Sequence, residues 1–202
     1  KYELPAQYTR MADLPVYAPS WYQAAAYCNW LSKEEGILED QWCYEIEKDQ
    51  VTRAKPNYLA RTGYRLPTEA EMEYATRAGS VTRRYYGAAD ALLEKYAWYY
   101  ENSQDRTWPV GRKKPNDFGL FDTYGNVYQW CQNQYFPDPT AQGTPADDKE
   151  EAGDIPADAS RALRACGFNY PAKSARSAHR YSFVGTSAQH HYGFRVARTI
   201  AK

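Results

Sequence analysis

The stretch 63–75 encodes a complete strand-to-helix transition and constrains the fold more than any other part of the chain. It reads GYRLPTEAEMEYA, with Pro67 separating a short β-like run from strong helix formers. Thr68 and Glu71 form a Thr-x-x-Glu capping box, in which each side chain accepts a hydrogen bond from the other residue's main-chain N–H. The pattern predicts a helix over residues 69–78 that Gly79 closes.

A second capping box predicts an earlier helix. Ser20 and Gln23 have the same spacing, and apolar residues then recur at helical intervals until Gly36. We expect an amphipathic helix over 21–34 that packs on the core. Weaker patterns predict short strands over 42–49 and 81–86, a polar connector over 51–62 and a helical turn over 88–95.

The length of the chain indicates one domain, and its balanced charges indicate no strong electrostatic field around it. The 202 residues, 43% of them apolar, contain no internal repeat and no visible boundary. Lysine plus arginine and aspartate plus glutamate number 25 each, so we expect neither a nucleic-acid nor a membrane partner. No apolar run approaches the roughly 20 residues that span a bilayer, and the first residues lack a signal-peptide core. These features favour a cytoplasmic protein.

The segment 136–160 differs in composition from its surroundings. It contains four prolines, and six acidic residues lie between positions 147 and 158. Such a composition is typical of an exposed connection, because it offers few apolar side chains to bury. We therefore predict an acidic surface insertion without a packed element.

The four cysteines do not form a disulfide framework by number or by spacing. Cys28, Cys43, Cys131 and Cys166 contain no C-x-x-C pair, and four are few for a chain of 202 residues. We predict free, mostly buried thiols. A bridge from Cys28 to Cys131 or to Cys43 remains an alternative at this point.

Three ordered motifs resemble the formylglycine-generating-enzyme family, also called sulfatase-modifying factors. They are RLPTEAEMEYA at 65–75, PNDFGLFDTYGNVYQW at 115–130 and GFRVAR at 193–198. The resemblance extends over roughly residues 15–198. It implies an α+β fold of the C-type-lectin-like kind, with two helices, much ordered loop and a small antiparallel sheet ended by a strand near 194–198. The family's first strand, which lies beside the C-terminal one, is expected to be missing here.

The copper site that the resemblance implies is not expected in this chain. Family members oxidise a substrate cysteine with Cu(I) held by two thiolates, just after a Gly-Gly-Ser-aromatic run. The matching run here is 164–168, and none of residues 169–175 is cysteine. No copper is therefore expected, and the enzyme hypothesis would need another metal site.

Histidines are the alternative ligands for such a metal-dependent oxidase. His179, His190 and His191 all lie in the last 24 residues. On a strand, however, His190 and His191 would face opposite sides, and no carboxylate follows Arg161 to complete the site locally. Exposed polar side chains are the better interpretation.

A calcium site is the second metal site that the resemblance implies. Matched residue by residue, its oxygen ligands would come from Asp122, Gly125, Val127 and Gln129. Gln129 stands where the family has a glutamate, so one full charge is lost and the site should be weaker. The alternative is a plain glycine-containing turn stabilised by Asn126.

The C-terminal segment has the composition of a binding loop. From 165 to 192 it lacks aspartate, glutamate, leucine, isoleucine, methionine and tryptophan, and is rich in tyrosine, histidine and serine. The spacing of its pieces 176–180 and 193–195 resembles the variable region of proteins diversified by diversity-generating retroelements, which share the lectin-like fold. The resemblance implies ligand-binding positions at Phe168, Asn169, Tyr170, Lys173, His179, Tyr181, Phe183, His190, His191 and Tyr192.

These observations predict a non-catalytic module that binds a protein or another macromolecule. The side chains expected to expose their tips are Phe168, Tyr170, His179, Tyr181, Phe183, His190 and Tyr192. Those expected to hold the segment in place are Arg176, Ala178, Arg180, Phe194 and Arg195. The alternatives are the metal-dependent oxidase and a regulatory or structural domain of a larger signalling protein.

Overall fold

Both main helices begin where their capping boxes place them. The computed structural model describes residues 13–16, 18–137 and 150–200, and in it α1 spans Trp21–Glu34 and α2 spans Glu69–Arg77. The Thr68 hydroxyl accepts from the Glu71 N–H at 3.1 Å, and the Glu71 carboxylate accepts from the Thr68 N–H at 2.9 Å. The predicted helices are confirmed to within one residue.

Short strands form three sheets within the described ranges. They are β1 Tyr44–Glu47, β2 Gln50–Ala54, β3 Tyr64–Arg65, β4 Tyr128–Gln134, β5 Gly153–Asp154, β6 Ser160–Arg164, β7 Tyr181–Val184, β8 Tyr192–Phe194 and β9 Ala197–Arg198. Their spatial orders are β1-β2-β5, β3-β9 and β7-β6-β4-β8. A short helix α3, Tyr100–Ser103, and 3-10 turns at Glu39–Gln41, Asp90–Lys95 and Ala172–Ser174 complete the elements. The predicted α+β class is confirmed.

The sheet β7-β6-β4-β8 brings distant parts of the chain together. Strand β6 runs antiparallel to β4 and β7, whereas β8 runs parallel to β4 and pairs Tyr128 with Tyr192. The parallel pair departs from the predicted antiparallel sheet. A parallel neighbour requires a long crossover, and residues 135–191 supply one.

Tryptophans join the helices to this sheet in the core. Trp21 and Trp130 are both fully buried, and each indole N–H donates to a main-chain oxygen, of Cys131 at 2.8 Å and of Pro19 at 2.9 Å respectively. Because each buried indole N–H has a hydrogen-bond acceptor, neither tryptophan leaves a buried donor unpaired, which would destabilise the fold. All four cysteines are buried and free, as predicted.

Three local predictions were wrong. Residues 51–54 of the expected connector belong to β2, whose buried Val51 and Ala54 were too sparse to reveal it. The expected strand at 81–86 is reduced to one bridge at Arg84, because the buried Arg84 guanidinium fixes this segment to main-chain oxygens instead. Within the acidic segment, β5 pairs with β2; positions 138–149 lie outside the described residues.

Two further expectations concern the ends of the chain and membranes. The expected loss of the family's first strand concerns residues 1–12, which lie outside the described ranges. Among the residues that are described, no helix has the length and hydropathy needed to cross a membrane.

Candidate ligand-binding face

The ring of Tyr128 lies at the centre of an aromatic cluster built by the C-terminal segment. Its centroid is 4.8 Å from that of Tyr170, 4.9 Å from that of Tyr181 and 5.9 Å from that of His179. The rings of His191 and Tyr192 adjoin it at 6.1 and 6.4 Å. Because Tyr128 itself is fully buried, it supports the outer rings and does not present its own surface.

The sheet and one glycine place these rings. Tyr128 on β4 pairs with Tyr192 on the neighbouring strand β8. Tyr181 lies on β7, which pairs with the edge of β6 that faces away from β4. At Gly167 an added Cβ would come within 2.9 Å of the Asn169 side chain and 3.1 Å of His191. The close approach at this glycine lets the loop that carries Tyr170 lie against the sheet.

Part of the predicted binding set reaches the surface. Tyr170, His179, Tyr181 and His191 are half-buried, and Phe183 is 39% exposed. Lys173 and His190 are exposed, and the half-buried Asn169 has a buried Oδ1 without a hydrogen-bond partner. We call Tyr170, His179, Tyr181, Phe183, His190 and His191 the aromatic face.

Two members of the predicted set are not available to a ligand. Phe168 and Tyr192 are only 3% and 1% exposed, so the prediction that they expose their tips was wrong. Tyr192 packs on Trp130 at 5.1 Å between ring centroids, and the Phe168 N–H donates to the Asn126 carbonyl. Both residues are therefore supports of the aromatic face.

Arg180 and Arg195 hold the segment as expected, whereas two other residues predicted for this role do not. Arg180 pairs with both oxygens of Glu69, at 2.5 and 2.8 Å, and Arg195 donates to the Phe121 carbonyl at 3.0 Å. Arg176 and Ala178, in contrast, have exposed side chains, so their predicted supporting role was wrong. The turn is held there by main-chain bonds, such as that from the Arg176 N–H to the Ser174 carbonyl at 2.9 Å.

A network of carboxylates behind the aromatic face neutralises buried charge. Arg164, whose side chain is 2% exposed, pairs with Glu69 at 3.1 Å and with Glu73 at 2.6 Å. It also donates to the Ser177 carbonyl at 2.6 Å. Glu69 thereby joins α2 to both Arg164 and Arg180, which fixes the segment relative to the helix.

Two imidazoles of the face, those of His179 and His191, have a lowered pKa and are neutral at pH 7. Burial lowers the pKa of His179 to about 4, and the positive charges of Arg176 and Arg164 lower it further in the same direction. Burial also lowers the pKa of His191 to about 4, with a smaller contribution from His190. The His179 Nε2 lies 2.9 Å from the Tyr128 hydroxyl. Neutral rings and hydroxyls thus dominate the centre of the face.

Sequence reasoning missed two residues of this region. Tyr128 was read only as part of a motif, although Tyr128 and Trp130 alternate on a strand and so share one face. Tyr100 is 65% exposed, and its N–H donates to the Tyr170 carbonyl at 3.0 Å. An aromatic residue at the start of a four-residue helix gives no signal of that proximity.

The predicted calcium ligands fit a cation only in part. The Asp122 Oδ1 is buried without a hydrogen-bond partner, which suits a ligand oxygen. The Gln129 side chain does not fit, because its oxygen accepts from the Arg195 guanidinium and its Nε2 donates to the Asp122 carbonyl at 2.8 Å. Gly125 lies against the main chain of Trp98, and Val127 is buried.

The four residues therefore do not fit as one ligand set, and the calcium site stays a prediction. Burial raises the pKa of Asp122, while the Arg195 charge opposes that rise. A cavity of about 370 Å³ opens beside Asp122 and is lined also by Val110, Phe121 and Phe194. In the described part of the chain, no group of three or more His, Cys, Asp or Glu side chains is placed to hold a metal.

Relatives by sequence include enzymes, kinases and a chaperone. The chain is 35% identical over 157 residues to the formylglycine-generating enzyme of Streptomyces coelicolor, covering 69% of this chain and 48% of that protein. It is 28% identical over 192 residues to serine/threonine-protein kinase pkn1 of Chlamydia caviae, covering 94% and 25%. Chaperone protein LppX of Paenibacillus barcinonensis is 29% identical over 160 residues, covering 65% and 56%. The chain thus spans between a quarter and little more than half of these proteins.

Solved structures share the fold along almost the whole chain. Treponema denticola variable protein 1 matches with a TM-score of 0.75 and 29% identity, covering 97% of this chain and 75% of that one. PvdO from Pseudomonas aeruginosa matches with a TM-score of 0.69 and 26% identity, covering 93% and 63%. The family model of the sulfatase-modifying factor enzyme 1-like domain matches residues 2–200. The chain belongs to this family.

Proposed function

We propose that the chain is a non-catalytic module that binds a protein partner through the aromatic face. The observation that carries the proposal is the cluster around Tyr128, in which Tyr170 and Tyr181 pack on its ring within 5 Å and still reach solvent. Tyrosine offers a large apolar ring and a polar tip, and its few torsions limit the entropy lost on binding.

Rigidity of the face supports the same proposal. The rings of Tyr170 and Tyr181 both pack on the buried ring of Tyr128. They also contact one another, with 5.9 Å between their centroids. The Glu69 pair with Arg180 fixes the start of β7 from behind. A surface that is already ordered loses less freedom when a partner binds, so more of the contact energy appears as affinity.

The thiol chemistry of the family's oxidases is not favoured in this chain. Burial raises the pKa of Cys166 to about 12, so forming a thiolate there costs more than at an ordinary thiol. The Cu(I) of the family's oxidases is held by two thiolates, soft ligands that suit this ion. Since residues 169–175 supply no second thiol, the proposal assigns no copper chemistry to the site.

A second candidate is that the module serves as a recognition domain within a longer signalling protein. This is favoured by the match to the pkn1 kinase, which covers 94% of this chain but only 25% of that protein. An antibody against this chain, used on extracts of cells that express the native gene, tests it. A band well above 23.2 kDa would support the second candidate, and a band at that mass would contradict it.

A crystallographic screen with small aromatic and amide fragments tests the main proposal. We expect fragments to gather on Tyr170 and Tyr181, and Tyr181→Ala to remove them. The matched control is Tyr74→Ala, because Tyr74 is 68% exposed on α2 and lies outside the aromatic face. Fragments that gather only in the cavity beside Asp122, and never on the aromatic face, would contradict the proposal.

A further inference from the structure

Two unpaired cations lie at one border of the aromatic face. The side chains of Lys173 and Arg176 are exposed, and neither forms an ion pair with any acid in the described ranges. Arg83 joins them, since its carbonyl accepts from the Ser177 N–H at 3.1 Å. Its guanidinium lies at the longer distance of 3.7 Å from Asp90. We call Arg83, Lys173 and Arg176 the basic border.

The basic border is close enough to act together with the aromatic rings. The Arg176 carbonyl accepts from the His179 N–H at 3.0 Å. The positive charge of the Arg176 guanidinium lowers the pKa of the His179 imidazole. Lys173 lies on the 3-10 turn Ala172–Ser174, three residues after Tyr170. One bound segment of a few residues could therefore contact both a ring of the face and a cation of the border.

In the described ranges, no carboxylate forms an ion pair with Lys173 or Arg176 of the basic border. No aspartate or glutamate occurs from position 159 to the end of the chain. Glu69 and Glu73 form their ion pairs with other cations, namely Arg164, Arg180 and Arg77. Glu101 is exposed and follows Tyr100 in helix α3. Asp90, also exposed, lies 2.6 Å from Arg84 and 3.7 Å from Arg83, so it reaches one cation of the basic border but pairs with neither Lys173 nor Arg176.

We propose that the partner is an acidic protein segment, in which carboxylates pair with Lys173 and Arg176 while an apolar side chain packs on Tyr170 and Tyr181. This inference rests on the proposed function and names the chemistry of the partner. Complementary charge steers association and selects among partners. A nucleic acid fits less well, because the chain has no net charge and the unpaired cations are too few to follow a phosphate backbone.

Selection from a phage-displayed library of random peptides tests the inference. The targets are the unaltered chain, the double variant Lys173→Glu/Arg176→Glu and the matched control Lys33→Glu/Lys48→Glu. All four lysine and arginine side chains are exposed, so both variants change the net charge equally at little risk to folding. Thermal melting of each variant checks that the fold is intact.

We expect the unaltered chain and the control to select peptides rich in aspartate and glutamate. The border variant should select peptides without that bias and bind the acidic ones about tenfold more weakly, a loss that added salt reduces because exposed charges are screened. Peptides that bind the aromatic face without an acidic bias would overturn this inference and leave the proposed function standing. Absence of any binder would contradict both. Tighter binding of an oligonucleotide than of any acidic peptide would also overturn it.

Discussion

The hydroxyl of Tyr128 and the Nε2 of His179 lie 2.9 Å apart, joining β4 to the C-terminal segment across 51 residues of sequence. The contact holds a neutral imidazole against a buried ring, so protonation of His179 must work against burial and against the nearby Arg176 and Arg164. Stability should consequently depend on pH in the range where the unfolded chain's histidines titrate.

The sign of this dependence follows from the lowered pKa of His179 and His191, each about 4 in the folded chain. Between the usual value near 6.5 and about 4, the unfolded chain binds more protons, so stability is lost as pH falls through that window. We expect a loss of about 1–2 kcal/mol for each imidazole, allowing for partial exposure. Melting of His179→Gln should vary less between pH 7 and pH 4.5 than melting of the unaltered chain. Equal variation would contradict the assignment.

Burial separates the supports of the aromatic face from its binding positions. Tyr192 is 1% exposed and packs on Trp130, so Tyr192→Ala should cost about 3–4 kcal/mol of folding stability through the cavity it leaves. Phe183 is exposed at 39%, and Phe183→Ala should cost less than about 1 kcal/mol. Denaturant unfolding of both variants measures the difference. If Phe183→Ala proves the more damaging change, the inside and outside of the face have been exchanged.

The Glu69 carboxylate should matter far more than a surface carboxylate. Its removal in Glu69→Gln leaves the guanidinium of the 2%-exposed Arg164 with only Glu73, and that of Arg180 without its carboxylate. We expect a cost of about 2–4 kcal/mol. The control is Asp154→Asn, whose pair with Arg53 is exposed to solvent and should contribute far less to stability. Similar losses in the two variants, measured by urea unfolding, would refute the proposed role of this network.

Calcium binding depends on whether a second carboxylate can offset Arg195. We predict that millimolar Ca²⁺ raises the melting temperature of Gln129→Glu more than that of the unaltered chain, because the new charge restores an anionic oxygen beside Asp122. Asp122→Asn in the same background should abolish the rise. Identical melting in Ca²⁺ and in EDTA for every variant would remove the calcium site from this account.

Local signals made the helices predictable, whereas the site depends on long-range pairing. The capping boxes that begin at Ser20 and Thr68 each span only four residues of sequence, so both helix starts were predicted correctly. The central position of Tyr128 arises from its pairing with Tyr192, 64 residues away, which no local pattern specifies. Composition alone was enough to indicate a tyrosine-rich segment. Because burial depends on long-range pairing, however, Phe168 and Tyr192 were wrongly predicted to be exposed.

The central claim is that the aromatic face binds a partner. Titration calorimetry of a peptide selected on the unaltered chain, repeated with Phe183→Ala and with Tyr74→Ala, tests it most directly. Both changes truncate an exposed aromatic residue, but only Phe183 belongs to the face. Truncation of an aromatic side chain that a partner buries typically costs about 2 kcal/mol or more, so we expect Phe183→Ala to raise the dissociation constant about thirtyfold and Tyr74→Ala to leave it unchanged. Equal affinity of the two variants for the peptide would contradict the account.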